Sequence, residues 1–156
     1  MRIHICAAGR LRAGPERALI DDYLTRFDRT GRALGLGPAN ILEIEDKKGG
    51  GPAAEAALLR KAAPDGAKLI ALDERGKTLT SPEFAGLLAR WRDDGTQDAG
   101  LLIGGADGLD PDLRDAADVR LSFGPMVWPH MLVRVMLAEQ LYRAASILAG
   151  TPYHRA

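Results

Sequence analysis

The stretch that decides the fold begins Leu121-Ser122-Phe123-Gly124-Pro125-Met126-Val127-Trp128-Pro129-His130, continues as MLVRVMLAEQLYRAASILAG over 131–150, and ends in Thr151-Pro152-Tyr153-His154-Arg155-Ala156. A strand around Val119-Arg120-Leu121 leads into a loop, and the loop leads into a helix from about His130. On that helix Met131, Leu132, Val133, Val135, Met136, Leu137, Ala138, Leu141, Tyr142, Ala144, Ala145, Ile147 and Leu148 occupy nearly the whole circumference. At about 100° per residue Glu139, Arg143 and Ser146 share a narrow polar stripe, with His130 and Arg134 on the opposite side. A helix apolar on more than one face must be buried on more than one face. In a chain of 156 residues this predicts a two-fold subunit interface, or else a place at the centre of a monomeric core.

Working outward, Arg2 to Ala7 reads as a first strand, with Cys6 as a buried structural thiol. After Gly14-Pro15 the period changes to that of a surface helix, with Ala18, Leu19, Tyr23, Leu24 and Phe27 as its stripe and an end near Gly31. Asn40 to Glu45 is a second strand. The segment Asp46-Lys47-Lys48-Gly49-Gly50-Gly51-Pro52 has neither the Walker nor the GxGxxG spacing, which leaves a flexible RNA-facing loop or a plain solvated linker. Pro52 opens a second helix, and Lys68 to Leu72 is a compact strand. Thr80-Ser81-Pro82-Glu83 is a capping-box helix start, with Phe84, Leu87, Leu88 and Trp91 facing inward. Ala99 to Gly104 is a central strand apolar on both faces, followed by a short helix around Leu113. Strands alternating with helices at this spacing predict a single α/β domain over 1–156, a mostly parallel sheet flanked by helices.

Composition narrows the function classes. Apolar residues are 46% and charged residues 27% of the chain, an ordinary globular mixture, and no run is long and apolar enough for a membrane span or signal peptide. A cytoplasmic protein with no membrane partner is expected. With one cysteine, an internal disulfide and a cysteine-rich zinc site are excluded, and no metal is expected. Net charge is zero, but residues 1–32 carry 7 basic and 4 acidic groups, 33–128 carry 11 and 16, and 129–156 carry 3 and 1. Basic ends on an acidic middle permit an RNA partner and equally permit two charge patches meeting across a subunit contact.

Three segments follow strands on what should be one side of the sheet, where open α/β folds place ligands: 72–77, 104–108 and 122–130. Together they make a cradle for a small molecule. Gly104 and Gly105 either let backbone approach a ligand closely or serve as turn chemistry with Asp107-Gly108. The third segment offers apolar side chains with main-chain donors and acceptors, suited to an adenine ring. In the tail, His154 can exchange a proton, Tyr153 can orient a base and Arg155 can hold phosphate, unless the tail is only a frayed end. His130, beside Pro129, is a cap or packing residue before it is a base.

These pieces resemble, in order, the RlmH family (ribosomal RNA large subunit methyltransferase H) of the knotted SPOUT methyltransferase superfamily. The resemblance rests on Leu72-Asp73-Glu74-Arg75-Gly76-Lys77, Ser81-Pro82-Glu83-Phe84-Ala85, Ile103-Gly104-Gly105-Ala106-Asp107-Gly108-Leu109 and Pro129-His130, then on Arg134, Glu139-Gln140-Leu141-Tyr142-Arg143-Ala144 and Pro152-Tyr153-His154-Arg155. It implies a C-terminal trefoil knot, a rare topology that periodicity would never propose. It also implies S-adenosyl-L-methionine held by Leu72, Gly104, Phe123, Gly124, Pro125, Met126, Val127 and Trp128. The implied reaction is methylation of N3 of a pseudouridine in large-subunit ribosomal RNA within the assembled ribosome, by a homodimer, with no DNA involved. His154 would then accept or steer the N3 proton, Arg143 would stabilise charge on the base or hold phosphate, and Tyr153 would orient the nucleotide. In the family the tail reaches the site formed with the partner subunit. The chain departs from the family pattern where Gly124 stands for a typical serine and Val127 for a typical threonine. Arg134 is expected to serve structure, through the cofactor loop or an interface carboxylate, and Arg10, Arg12, Lys47 and Lys48 are candidate phosphate contacts. The competing readings are a non-catalytic RNA-binding or ribosome-assembly protein on the same fold, a transfer-RNA-directed relative, and a nucleotide-binding metabolic enzyme.

Overall fold

The computed structural model describes residues 1–155; Ala156, the last residue of the expected domain, lies outside the described residues. Strands β1 (Arg2–Ala8), β2 (Ala39–Ile44), β3 (Lys68–Thr78), β4 (Asp98–Ile103) and β5 (Val119–Ser122) alternate with helices α1 (Pro15–Gly31), α2 (Gly51–Ala62), α3 (Ser81–Asp93), α4 (Pro111–Ala116) and α5 (His130–Ala149). One sheet results, in the order β2-β1-β4-β3-β5, with every neighbouring pair parallel. The expected α/β class is therefore observed.

Side-chain alternation along the strands divides the core between the two faces of the sheet. Ile3, Ile5 and Ala7 of β1 join Ala99, Leu101 and Ile103 of β4 in a larger core closed by α1, α3 and α5, while Cys6 and Leu102 enter a smaller one with Leu59 of α2 and Leu113 of α4. β4 lies in the middle with all six residues buried, as its two-sided apolar sequence requires. Burial pushes the Cys6 thiol up to about 11, which suits packing rather than reactivity. At the start of α3 the capping box forms in full, with Thr80 accepting from the Glu83 amide and Glu83 accepting from the Thr80 amide.

Two readings need correction. The segment 72–77, expected as a loop, lies within β3: Leu72 and Lys77 both face Leu121 of β5, so the chain leaves the ladder after Leu72, loops through 73–76 and rejoins it. Gly76 permits this return, because a Cβ there would stand 2.7 Å from the Arg120 carbonyl oxygen. Helix α5, for its part, packs against both α1 and α3, so much of its apolar circumference is used within the chain. Ser146, placed by periodicity on a polar stripe, is fully buried.

Candidate active site

Parallel strands bring the segments that follow them to one edge of the sheet, and a cavity of about 520 Å³ opens there. It is lined by the 73–76 excursion, the turn after β4 and the loop after β5. Of the residues expected to hold a cofactor, Leu72, Gly104, Phe123, Gly124, Met126, Val127 and Trp128 line it and Pro125 does not.

Each wall has a local cause. A Cβ on Gly104 would fall 2.6 Å from the Gly108 carbonyl carbon, so glycine is needed here by the turn closing on itself, the turn-chemistry reading of the sequence. Gly105 donates its amide to Glu55 of α2 at 3.2 Å, which anchors the turn from the opposite face. Ser122 joins the other two walls: its hydroxyl lies 2.9 Å from the Glu74 carbonyl, to which it donates, and accepts from the Gly124 amide at 3.0 Å. Gly124 adopts φ +110 with open space around it, so this glycine is demanded by backbone conformation.

The lining combines the apolar side chains of Leu72, Phe123, Met126, Val127 and Trp128 with the acids Asp73, Glu74 and Asp107. Asp73 Oδ2 is buried without a hydrogen-bond partner among the described residues, its nearest cation being Arg114 Nε at 3.9 Å. A buried, unmatched carboxylate oxygen is costly unless a ligand supplies the missing donor or positive charge. An adenine, a sulfonium and an ammonium group, all present in the implied methyl donor, fit an apolar slot with carboxylates at its side. Asp73, Arg114 and Ser122 were not singled out as binding residues from sequence, although Asp73 and Ser122 fell within segments expected to line a ligand because each follows a strand.

The tail forms a second cluster. Gly150, at φ 73, turns the chain after α5, and the tail folds back along the helix. Arg143 contacts Glu139 at 2.6 Å, the Tyr153 hydroxyl donates to Glu139 at 3.0 Å, and the Arg143 guanidinium stands 4.7 Å over the Tyr153 ring. Tyr142 packs on Tyr153 with ring centroids 4.5 Å apart. Burial and then the Glu139 hydrogen bond push the Tyr153 phenol above its ordinary range, while the bond to Glu139 raises Arg143. His154 Nδ1 lies 3.3 Å from Arg143 Nη1. A guanidinium only donates, so in this contact Nδ1 can serve only as the acceptor, which leaves Nε2 free to face a ligand. Glu139, which organises the cluster, appeared in the sequence only as part of a polar stripe.

The cavity and the tail are not brought together within one chain. His130 lines the cavity, whereas Arg143 lies thirteen residues further along α5, about 20 Å at the usual helical rise. The carboxyl-edge cavity is framed instead by exposed apolar side chains, with Met126 70% and Val127 81% exposed and Trp128, Met131 and Leu132 beside them.

Comparison with known proteins identifies the family of the chain. The family described as "Predicted SPOUT methyltransferase" matches residues 1–154. A protein of Ruegeria pomeroyi named "Ribosomal RNA large subunit methyltransferase H" is 73% identical over 155 residues, covering 99% of each chain. Proteins of the same name from Dinoroseobacter shibae and Cereibacter sphaeroides are 72% and 68% identical over the same span. Among solved structures, a probable methylase family protein from Haemophilus influenzae matches with TM-score 0.55 at 12% identity, covering 99% of this chain and 70% of that one, a likeness of fold alone.

Proposed function

The chain belongs to the SPOUT methyltransferase family, and on that premise we propose that it methylates large-subunit ribosomal RNA, taking the methyl group from S-adenosyl-L-methionine and placing it on N3 of a pseudouridine in the assembled ribosome. The observation that carries this reading is the convergence of Leu72, Gly104 and the 123–128 loop on one cavity, in a chain matched end to end by ribosomal RNA methyltransferases. The working form is a cytoplasmic homodimer, and the C-terminal segment is threaded as the trefoil knot of the family.

Leu72, Gly104, Phe123, Gly124, Met126, Val127 and Trp128 hold the donor, with Pro125 shaping the loop from outside the cavity. Asp73, whose buried Oδ2 has no partner among the described residues, would meet positive charge on the donor. When bound, S-adenosyl-L-methionine supplies a methyl group on a sulfonium leaving group, so alignment and charge placement are what remains for the protein. Two-fold pairing through the apolar surface of Met126, Val127, Trp128, Met131 and Leu132 sets the tail of one subunit over the cavity of the other. Arg143 then faces charge developing on the base carbonyls, and Tyr153, held by Glu139, fixes the path of the tail beside the nucleotide. With Nδ1 occupied by Arg143, His154 acts through its Nε2 proton as a donor that steers the base, and the N3 proton leaves to water.

Incubation of the protein with labelled S-adenosyl-L-methionine and ribosomes from cells lacking it, followed by mass mapping of the RNA, tests the reading. Label should enter one large-subunit nucleotide; absence of label, or label only in transfer RNA, would overturn it. His154→Ala should lower the single-turnover rate by about 10² while leaving the slope of rate against pH unchanged. A slope that flattens in the variant would make His154 a base.

A further inference from the structure

Arg134, on the second turn of α5, is only 1% exposed and is among the largest fully buried side chains of the molecule. A guanidinium removed from water is costly unless its donors are matched, and here both terminal nitrogens are matched while Nε has no partner among the described residues. Nη1 donates to Glu43 at 2.8 Å, and Nη2 donates to the carbonyls of Ala8 at 2.8 Å and Gly9 at 2.9 Å. Glu43, at the end of β2, also accepts from the Leu11 amide and pairs with Arg17 at 3.5 Å. Arg17 in turn donates to the Leu11 carbonyl at 2.8 Å. Burial pushes the Arg134 guanidinium below its ordinary value and the Glu43 charge opposes that shift, so the pair is held as a unit. The partner carboxylate thus lies in the same chain, where the sequence had suggested the cofactor loop or an interface.

These bonds tie the segment that leaves β1 to its surroundings: Gly9 and Leu11 lie on it, Ala8 closes β1, Glu43 stands on β2 and Arg17 on α1. That segment, Gly9 to Gly14, carries Arg10 and Arg12, both exposed, and Arg10 is 71% open and pairs with Glu45 at 3.4 Å. It follows a parallel strand and therefore lies at the same carboxyl edge as the cavity. Val133, next to Arg134, and His130, one turn earlier, line the cavity itself. One buried side chain therefore bridges the cavity wall and a cationic loop. Two glycine ends, one of them at φ +95, would otherwise leave this loop free to move.

Resting on the reading of the chain as an RNA methyltransferase, we propose that Arg134 is a positioning residue for the RNA substrate. Through Ala8, Gly9 and Glu43 it holds the Gly9–Gly14 loop at a fixed spacing from the donor cavity, so that Arg10 and Arg12 meet phosphates flanking the target base. A loop ordered before binding does not lose that freedom when RNA arrives, and the gain appears in RNA affinity rather than in the chemical step.

The test compares wild type, Arg134→Lys, Glu43→Gln, the double variant Arg10→Ala/Arg12→Ala, and each clamp substitution in the double-variant background. Ribosomes from cells lacking the enzyme serve as substrate, and calorimetry reads donor affinity. Arg134→Lys and Glu43→Gln should each raise KM for ribosomes about tenfold, with kcat and donor affinity within about twofold of wild type. In the background without Arg10 and Arg12 the same substitutions should add less than about twofold, since the loop no longer carries the contact they position. A full tenfold addition there, or a loss of kcat and donor affinity with KM unmoved, would overturn the proposal and leave Arg134 a packing residue. Should Arg134→Lys fail to fold, Glu43→Gln carries the test, because it removes the counter-charge that holds Arg134 while its amide oxygen still accepts from the Leu11 amide. Ribosome binding by sedimentation separates this proposal from the enzymatic one. If wild type bound ribosomes about tenfold more tightly than Arg134→Lys yet transferred no methyl group, the enzymatic reading would fall and the loop clamp would stand.

Discussion

Gly124 shows how one residue can depart from a pattern for a reason that sequence does not display. Against the family serine it reads as a lost hydroxyl, yet its φ of +110 lies where side chains are strained, and Ser122 already supplies a hydroxyl to its amide. Since a Cβ there would meet nothing, Gly124→Ala isolates backbone strain from steric clash. The strain of about 1–3 kcal/mol should drive the altered loop from the conformation that lines the cavity, weakening S-adenosyl-L-methionine by about tenfold in calorimetric titration. Unchanged affinity would show that the bound loop uses another conformation. At the opposite end of the sheet Asp98 is gripped by His4 at 2.8 Å and by Arg2, and these hydrogen bonds hold its carboxyl below the usual range despite the opposing effect of burial. A carboxyl depressed in the fold contributes stability above its unfolded value of about 4, and this is lost as pH falls through the lower folded value. Thermal melts of wild type and Asp98→Asn should therefore converge as the pH falls from about 4 through the lower folded value. A gap that persists into acid would assign the difference to packing. Neither Asp98 nor Arg134 had a visible partner in the sequence, because both contacts join residues about ninety positions apart.

At the scale of elements the sequence was most legible where local chemistry decides the outcome. Pro15, Pro52 and the Thr80–Glu83 box start helices where such residues should, and the two-sided apolar run at 99–103 lies in the centre of the sheet. It was least legible where two elements share a residue. Nothing in Leu72-Asp73-Glu74-Arg75-Gly76-Lys77 announces that Leu72 and Lys77 face the same Leu121, since that follows from β5 and not from β3. The cavity depends on this excursion, because it carries Asp73, Glu74 and Arg75 into the wall. Gly76→Ala should push the excursion off the Arg120 backbone and weaken donor binding by about tenfold, whereas Gly86→Ala, at a half-buried position with open space for a Cβ, should leave affinity unchanged and favour α3 slightly. Equal effects of the two substitutions would deny the excursion its part in the site.

The whole molecule raises a question that no single chain answers, since the cavity lies at one end of α5 and the Glu139-Arg143-Tyr153-His154 cluster toward the other. The sequence argued for a dimer from the apolar girth of α5, but α1 and α3 account for much of that girth, and the argument now rests on the exposed run from Met126 to Leu132. If pairing across that run joins the cavity of one subunit to the tail of its partner, each active site is composite, and its two halves can be damaged in different chains. Gly104→Val, which forces the cavity turn apart, and His154→Ala, which removes the tail's donor, should each be nearly inactive as homodimers. Unfolded together and refolded at equal amounts, they should form about half heterodimers, each with one undamaged cavity facing one undamaged tail, and recover about a quarter of the wild-type rate per chain. Refolding them separately and mixing without exchange supplies the control. No recovery in the co-refolded sample, with heterodimers confirmed by mass, would place both halves of the site in the same subunit and require the tail to move along α5 to reach its own cavity.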